Sequence, residues 1–364
     1  MLINFGVWAT MAAERFVVQL ASDTSLVELS RDCSFSIGVG KNFIEMITVG
    51  DQFKALAGEF SVEDLEYLYH DERVVAISRD RDLKLQEYKV QYGSPRHLSQ
   101  LSSGGSFTFD PVSGNLVDVY VFDTGIDFKH PGLQNVNPHK LADFTSSPVP
   151  RGADPHGHGT MMAGLIASET FGVLKSCSLV DVRVADKDGE VKLSTLMKGI
   201  SASVAHARFT KRPSVFVLPM TIGKKNHILD NFLQAIPKDI AIVLPAGNQQ
   251  TDACDLSPPN DHNILVIGSL DRDNRLADFS NYGNCVDVYT SGTDILTLRS
   301  TDSGNEVLLQ SSNGTSASCA IGAGIVGYHM SMGLTSMQAI QTIRSSSKDI
   351  YSHKHRLKLL QLKL

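Results

Sequence analysis

Between positions 15 and 85, short apolar runs alternate with two amphipathic stretches. Residues 16–20, 43–49, 52–60 and 74–77 have the length and the share of β-branched residues expected of strands. Ser25-Leu-Val-Glu28 has the spacing of a capping box and starts a short helix. Ser61-Val-Glu-Asp64 opens a second helix, which carries Leu65 and Leu68. The order β-α-β-β-α-β predicts a small α+β unit of the split-βαβ, ferredoxin-like kind. From 84 to 106 the chain is polar and turn-rich, a linker by composition.

Beyond the linker the pattern changes. Near-continuous Val/Ile/Leu runs at 117–122, 179–184, 214–218, 240–244, 264–267 and 286–289 are separated by helical patterns at 159–168, 195–208, 228–236, 316–332 and 336–343. Strands of this kind separated by helices predict an α/β fold, a parallel sheet covered by helices on both faces. The basic, amphipathic tail at 353–364 predicts a solvated terminal helix. No internal repeat or low-complexity tract interrupts the pattern. The expected domains are a leader at 1–14, the α+β unit at 15–85, a linker at 86–106 and the α/β domain at 107–364. A chain of 364 residues is long enough for two cores of unequal size.

With 42% hydrophobic and 20% charged residues the composition is that of a soluble globular protein. A net charge of −6 provides no basic field for nucleic acid or acidic lipid. The apolar runs are too short to span a bilayer. The mildly apolar start (Leu2, Ile3, Phe5, Val7, Trp8) has the outline of a signal peptide but no preceding Lys or Arg, so secretory targeting stays open. Five cysteines without a C-x-x-C spacing leave at least one unpaired and do not settle the redox compartment.

Four stretches carry candidate chemistry. Gly314-Thr315-Ser316 opens a run of small residues, and a hydroxyl at a helix N-terminus sits where free N–H groups favour developing negative charge. Asp123 ends a buried strand before Gly125, which puts a carboxylate at the strand end where open α/β sheets build their sites. His158 lies between Gly157 and Gly159 at a helix start. Asn248 follows Ala246-Gly247 after another buried strand and can donate to an oxyanion. His156 and His158 also form an H-x-H pair, but no third and fourth metal ligands follow at a recognisable spacing. Gly322-Ala-Gly324-Ile-Val-Gly327 spells the dinucleotide fingerprint, yet it lies inside a helical run, with its first downstream acid at Asp349.

Asp123-Thr-Gly-Ile with His130-Pro131, Gly157-His158-Gly159-Thr160, Ala246-Gly247-Asn248, Gly314-Thr315-Ser316 and Phe279-Ser-Asn-Tyr-Gly-Asn-Cys-Val-Asp287 together resemble the subtilisin-like serine proteases, in their proteinase K and cerevisin branch. Asp…His…Ser is the chain order of subtilisin itself. The likeness runs from about Pro95 to Gly333, and Phe53-Lys-Ala-Leu-Ala-Gly58 with Val74-Val-Ala-Ile77 makes the first unit similar to the family's inhibitory propeptide. The resemblance implies a serine endopeptidase made as a zymogen, with Ser316 as nucleophile, His158 as base and Asp123 orienting the imidazole. Asn248 and the Ser316 N–H would form the oxyanion hole. It implies substrate laid along Lys187-Asp-Gly189-Glu190 and Met220-Thr221-Ile222-Gly223, with Met220–Gly223 and Pro245-Ala246-Gly247 also walling an apolar specificity pocket. No cofactor is needed for the chemistry. A structural calcium is implied at Asp287, its other ligands being backbone carbonyls. The implied partners are peptide substrate and the chain's own propeptide, in a monomer of the secretory pathway, vacuolar or extracellular.

The chain also departs from that pattern. Ala317-Ser318-Cys319-Ala320 stands where the family has Met-Ala-x-Pro. His156 replaces an Asn, Met161 a His, Pro245 an Ala, and Gly189-Glu190-Val191 a Gly-x-Gly. These changes leave open a silent subtilisin fold that binds peptide. Asn313-Gly-Thr315 is formally a glycosylation signal, but it lies in the nucleophile's turn and is expected to stay unmodified.

Overall fold

The computed structural model describes residues 15–33, 44–80, 88–102, 105–150, 152–221, 223–256, 261–303, 307–352 and 355–362. The expected leader lies outside them, as does Ile222. The chain divides into two compact units, Met1–Gln86 and Glu87–Leu364.

In the first unit, β1 (Arg15–Leu20), α1 (Leu26–Asp32), β2 (Glu45–Val49), β3 (Phe53–Glu59), α2 (Val62–His70) and β4 (Val74–Arg79) follow in that order. The sheet runs β2-β3-β1-β4 with every pair antiparallel, the arrangement a split βαβ requires. Alternation along β1 puts Phe16, Val18 and Leu20 inward, against Leu56, Leu65 and Leu68. Ser61 caps α2 by accepting from Asp64 N at 3.0 Å. Ser25 precedes α1 without a side-chain cap bond, so the expected capping box is absent there.

The second unit begins inside the expected linker. β5 (Lys89–Gln91) pairs with β6 (Phe107–Phe109), and α3 (Arg96–Ser99) between them buries His97 and Leu98. Arg96 donates to Ser291 Oγ at 3.0 Å, so this polar stretch is folded onto the domain rather than free of it. The main sheet is built from β7 (Asp118–Asp123), β8 (Asn137–Asp143), β9 (Ser178–Arg183), β10 (Ser214–Val217), β11 (Ile240–Pro245), β12 (Ile264–Leu270) and β13 (Val288–Ser291), with β16 (Lys348–Ser352) and β17 (His355–Leu359) at one edge. Their order is β16-β17-β13-β12-β11-β10-β7-β9-β8, parallel throughout except for the terminal hairpin. Helices α4 (His158–Ala167), α5 (Leu193–Thr210), α6 (His227–Gln234), α7 (Thr315–Ser331) and α8 (Ser336–Ser346) supply the helical layers, and β14 (Ile295–Leu298) pairs with β15 (Leu309–Ser312). Two buried clusters result, one containing α4 and α7 and the other α5 and α6.

The tail is therefore a strand and not the solvated helix its charge suggests. Along His355–Leu359 the side chains alternate, with Leu357 and Leu359 buried, and Tyr289 pairs with Leu359. The dinucleotide-like glycines sit inside α7, where Gly322 faces Ile267, Gly324 faces Val173 and Gly327 faces Leu174. Close helix packing accounts for them, and no phosphate loop is formed.

Candidate active site

β10, β7 and β11 are neighbours in the centre of the sheet, with Val217 level with both Val121 and Val243. Their carboxyl ends therefore open on one rim, the rim at which parallel sheets place their sites. Asp123 is the last residue of β7 and is buried. His158 is the first residue of α4, whose N-cap Gly157 has φ 91°. A methyl at Gly159 would run into the Gly125 carbonyl and sit 3.1 Å from Asp123 Cβ, so the helix can approach the strand end only with glycine there. His158 Nδ1 lies 2.9 Å from both carboxylate oxygens of Asp123. Burial works against the imidazolium, but the Asp123 charge, its hydrogen bond and the Asp154 charge outweigh it and raise the His158 pKa.

Asp154, four residues before His158, carries no mark of its role in the sequence. It is fully buried, and it staples the strand end to the helix start. One oxygen accepts from Thr124 Oγ1 and Gly157 N, both at 2.8 Å. The other accepts from Thr160 N at 2.8 Å and Thr160 Oγ1 at 2.7 Å.

Ser316 is the second residue of α7, after the N-cap Gly314 and Thr315. Its Oγ donates to the Pro219 carbonyl at 2.7 Å and makes no hydrogen bond to His158 in this conformation. Rotation about one χ1 carries a serine hydroxyl between staggered wells, and catalytic hydrogen bonds are often open in free enzymes. Cys319 lies one turn along α7. Burial above all, and then the Asp123 charge, hold its thiol far up the pH scale. The departures after Ser316 are accommodated. Ala317, Cys319 and Ala320 are fully buried, and Ser318 donates to the Ser291 carbonyl at 3.0 Å.

Asn248 sits beside this helix start. Its Oδ1 accepts from Thr315 N and Thr315 Oγ1, each at 2.9 Å, which leaves its amide N–H₂ to donate. Gly247 N donates to Thr315 Oγ1 at 3.2 Å, so Thr315 fixes both neighbours. Asn281 braces the same loop: its amide donates to the Ala246 carbonyl, and its oxygen accepts from Gln249 N and Thr251 N. Asn281 belongs to the Phe279-Ser-Asn-Tyr motif, and its part in holding the loop shows only in the fold.

The other expected positions are less uniform. Met220 and Thr221 are half-buried next to Pro219, and Gly223 follows, while Ala246 and Gly247 are buried. Gly189 is not on an extended segment. Asp186 Oδ1 accepts from Asp188 N and Glu190 N, which folds 186–190 into a turn that consumes the backbone donors a substrate strand would need. Gly189 faces the His156 ring, 2.9 Å from Nε2 to an added Cβ. Asp287 carries a guanidinium: its Oδ1 accepts from Arg344 Nε at 2.8 Å and its Oδ2 from Val266 N at 2.9 Å. With a cation already on the carboxylate, this donor set does not fit the expected calcium. Among the described residues no cluster of three or more His, Cys, Asp and Glu side chains could hold a metal ion.

Residues 114–355 match the model of the subtilase family. The chain belongs to the subtilase family. Subtilases are serine-type endopeptidases, and the relatives of this one carry such names. Proteinase R of Parengyodontium album is 29% identical over 334 residues, covering 89% of this subtilase and 81% of that protein. The subtilisin-like protease 5 of Arthroderma gypseum is 30% identical over 288 residues, 76% of this subtilase and 69% of its own length. The subtilase-type proteinase psp3 of Schizosaccharomyces pombe is 31% identical over 294 residues, and the chain spans 63% of its length, less than two thirds. Among solved structures, a cold-adapted subtilisin-like serine proteinase superposes with a TM-score of 0.62 at 27% identity, over 70% of this chain and 91% of that one. Sphericase gives 0.61 at 18% identity and bears on the fold alone.

Proposed function

We propose that this subtilase hydrolyses peptide bonds through Asp123, His158 and Ser316. The observation that carries the reading is the Asp123 carboxylate held on His158 Nδ1 at the sheet rim. A carboxylate on Nδ1 fixes the tautomer and leaves Nε2 as the free base. Ser316 Oγ turns from Pro219 toward that nitrogen and attacks the carbonyl carbon while His158 takes its proton. His158 then gives the proton to the leaving amine. The Asn248 amide and the Ser316 N–H at the start of α7 receive the oxyanion. Substrate lies along Met220–Gly223 alone, since the 186–190 turn is closed. Met220 and Ala246 favour an apolar side chain in the pocket. Labelling with a fluorophosphonate probe tests the assignment: adduct at Ser316 in wild type and none in Ser316→Ala is expected, whereas equal labelling of the two removes it.

The first unit acts as an inhibitory propeptide, and cleavage between 84 and 95 releases it. The antiparallel β2-β3-β1-β4 sheet supports this, as does the proteinase R match, which covers more residues than the second unit contains. Intact mass after expression decides the point: a full-length chain that is active would refute processing. The Cys254–Cys285 disulfide supports an oxidising compartment, in the secretory pathway, the vacuole or outside the cell.

One observation favours a second reading, a silent subtilisin fold that binds peptide: the Ser316 hydroxyl is engaged by Pro219 and not by His158. Turnover of a denatured protein substrate that His158→Ala abolishes would exclude it.

A further inference from the structure

Three oxygens converge where the chain enters β12 and β13. Asp287 Oδ1 comes from the residue before β13, and the carbonyls of Asp261 and Ile264 flank the start of β12. Val266 N fixes the other carboxylate oxygen at 2.9 Å. One negative charge with neutral carbonyl oxygens around it is a hard donor set of the kind calcium uses. The cation it holds is organic. From the last turn of α8, Arg344 donates through Nε to Asp287 Oδ1 at 2.8 Å. Its Nη2 donates to the Ile264 carbonyl at 2.9 Å and the Asp261 carbonyl at 3.3 Å. Both side chains are mostly shielded, 18% and 17% exposed.

We propose that Arg344 is the permanent cation of this cage, so that this subtilase takes no divalent ion at Asp287 while the arginine is present. A metal ion on Asp287 Oδ1 would stand against the guanidinium charge and compete for the same carbonyls. The neighbouring carboxylates are also matched by cations, Asp261 with Lys238 at 2.5 Å and Asp349 with Arg356 at 2.7 Å. Lys358 adds a further positive group, donating to the Arg344 carbonyl at 3.1 Å. A guanidinium suits the geometry because its planar fork reaches a carboxylate and a carbonyl at once. Unlike an ion, it cannot be chelated or diluted away. It ties α8 to the sheet at any calcium concentration, and this holds whether or not the chain is a protease.

The test uses full-length protein in a Ser316→Ala background, which suppresses autolysis, and reads melting temperature in excess calcium against EDTA. The quantity of interest is the part of the calcium shift that Asp287→Asn removes. That part should be absent with Arg344 and with Arg344→Lys. It should appear in Arg344→Met, which vacates the cage, at about 5 °C once calcium is a hundredfold above its Kd. An Asp287-dependent shift in the chain that keeps Arg344 overturns the proposal, and so does its absence from Arg344→Met. Should Arg344→Met fail to fold in EDTA, refolding yield against calcium concentration replaces the melting shift, with the same two outcomes.

Discussion

The Cys254–Cys285 bridge spans a sequence separation of 31 residues. Cys254 lies in the short turn Ala253–Asp255, just past the loop that carries Asn248, and Cys285 lies just ahead of Asp287 and β13. Replacing both cysteines by serine frees that loop in the unfolded chain. By the chain-entropy relation the native state loses about 3.7 kcal/mol for a loop of this length. In a domain of this size that lowers the melting temperature by roughly 7–15 °C. Calorimetry on a Ser316→Ala background measures it without autolysis, and reduced, alkylated protein provides a second arm. The active-site loop should keep its shape, because Asn281 holds Ala246, Gln249 and Thr251 independently of the bridge. The kcat of the otherwise native double serine variant is therefore expected to change little. A melting temperature within about 2 °C of the disulfide-bonded form would refute the loop-closure reasoning.

Asp154→Asn removes a charge that raises the His158 pKa, and the base works only when neutral, so the acid limb of kcat/KM should move to lower pH. A purely structural role for Asp154 predicts reduced activity with the limb unmoved. Asn248→Ala should lower kcat by about 10²–10³ with little change in KM, a magnitude taken from subtilisin's own oxyanion amide and checked here by steady-state kinetics. Asp181 is fully buried between β7 and β8. Burial first, then the charges of Asp154 and Asp143, push its pKa up to about 7 against the pull of Lys140. Its folded pKa exceeds its unfolded one, so the native state binds the extra proton and stability falls as pH rises from about 4 to about 7. Asp181→Asn should flatten that slope. Its melting temperature relative to wild type should be more favourable at pH 8 than at pH 5, and a constant difference would rule the account out.

The sheet could be read in advance because runs such as Asp118–Asp123 and Ile240–Pro245 are buried on both faces, and that burial is written as unbroken apolar sequence. The edges were not legible. β8 reads Asn-Pro-His-Lys-Leu-Ala-Asp, which contains a proline and no β-branched residue, and it is a strand only because β9 pairs with it. The terminal hairpin was not legible because the tail's lysines and its one arginine, Arg356, mask its period-two alternation. At the site, Asp123, His158, Asn248 and Ser316 stood out because each is a polar residue placed at the end of an apolar element. Asp154, Thr315 and Asn281 are buried polar groups with partners far away in sequence, the Thr124 hydroxyl for Asp154 and backbone groups for the other two, and spacing carries no mark of that. The Gly189 turn was hidden for a related reason, since the carboxylate that closes it, Asp186, reads as an ordinary loop acid.

The resting bond from Ser316 to the Pro219 carbonyl has a kinetic meaning. On the proposed mechanism a hydroxyl parked on an uncharged acceptor is not yet a nucleophile, and giving up that bond costs about 0.5–1.5 kcal/mol, a roughly two- to tenfold brake on acylation. Every acyl donor on that route, small ester or peptide, meets the brake equally, so the parked hydroxyl sets the pace of the enzyme without altering its preference among substrates.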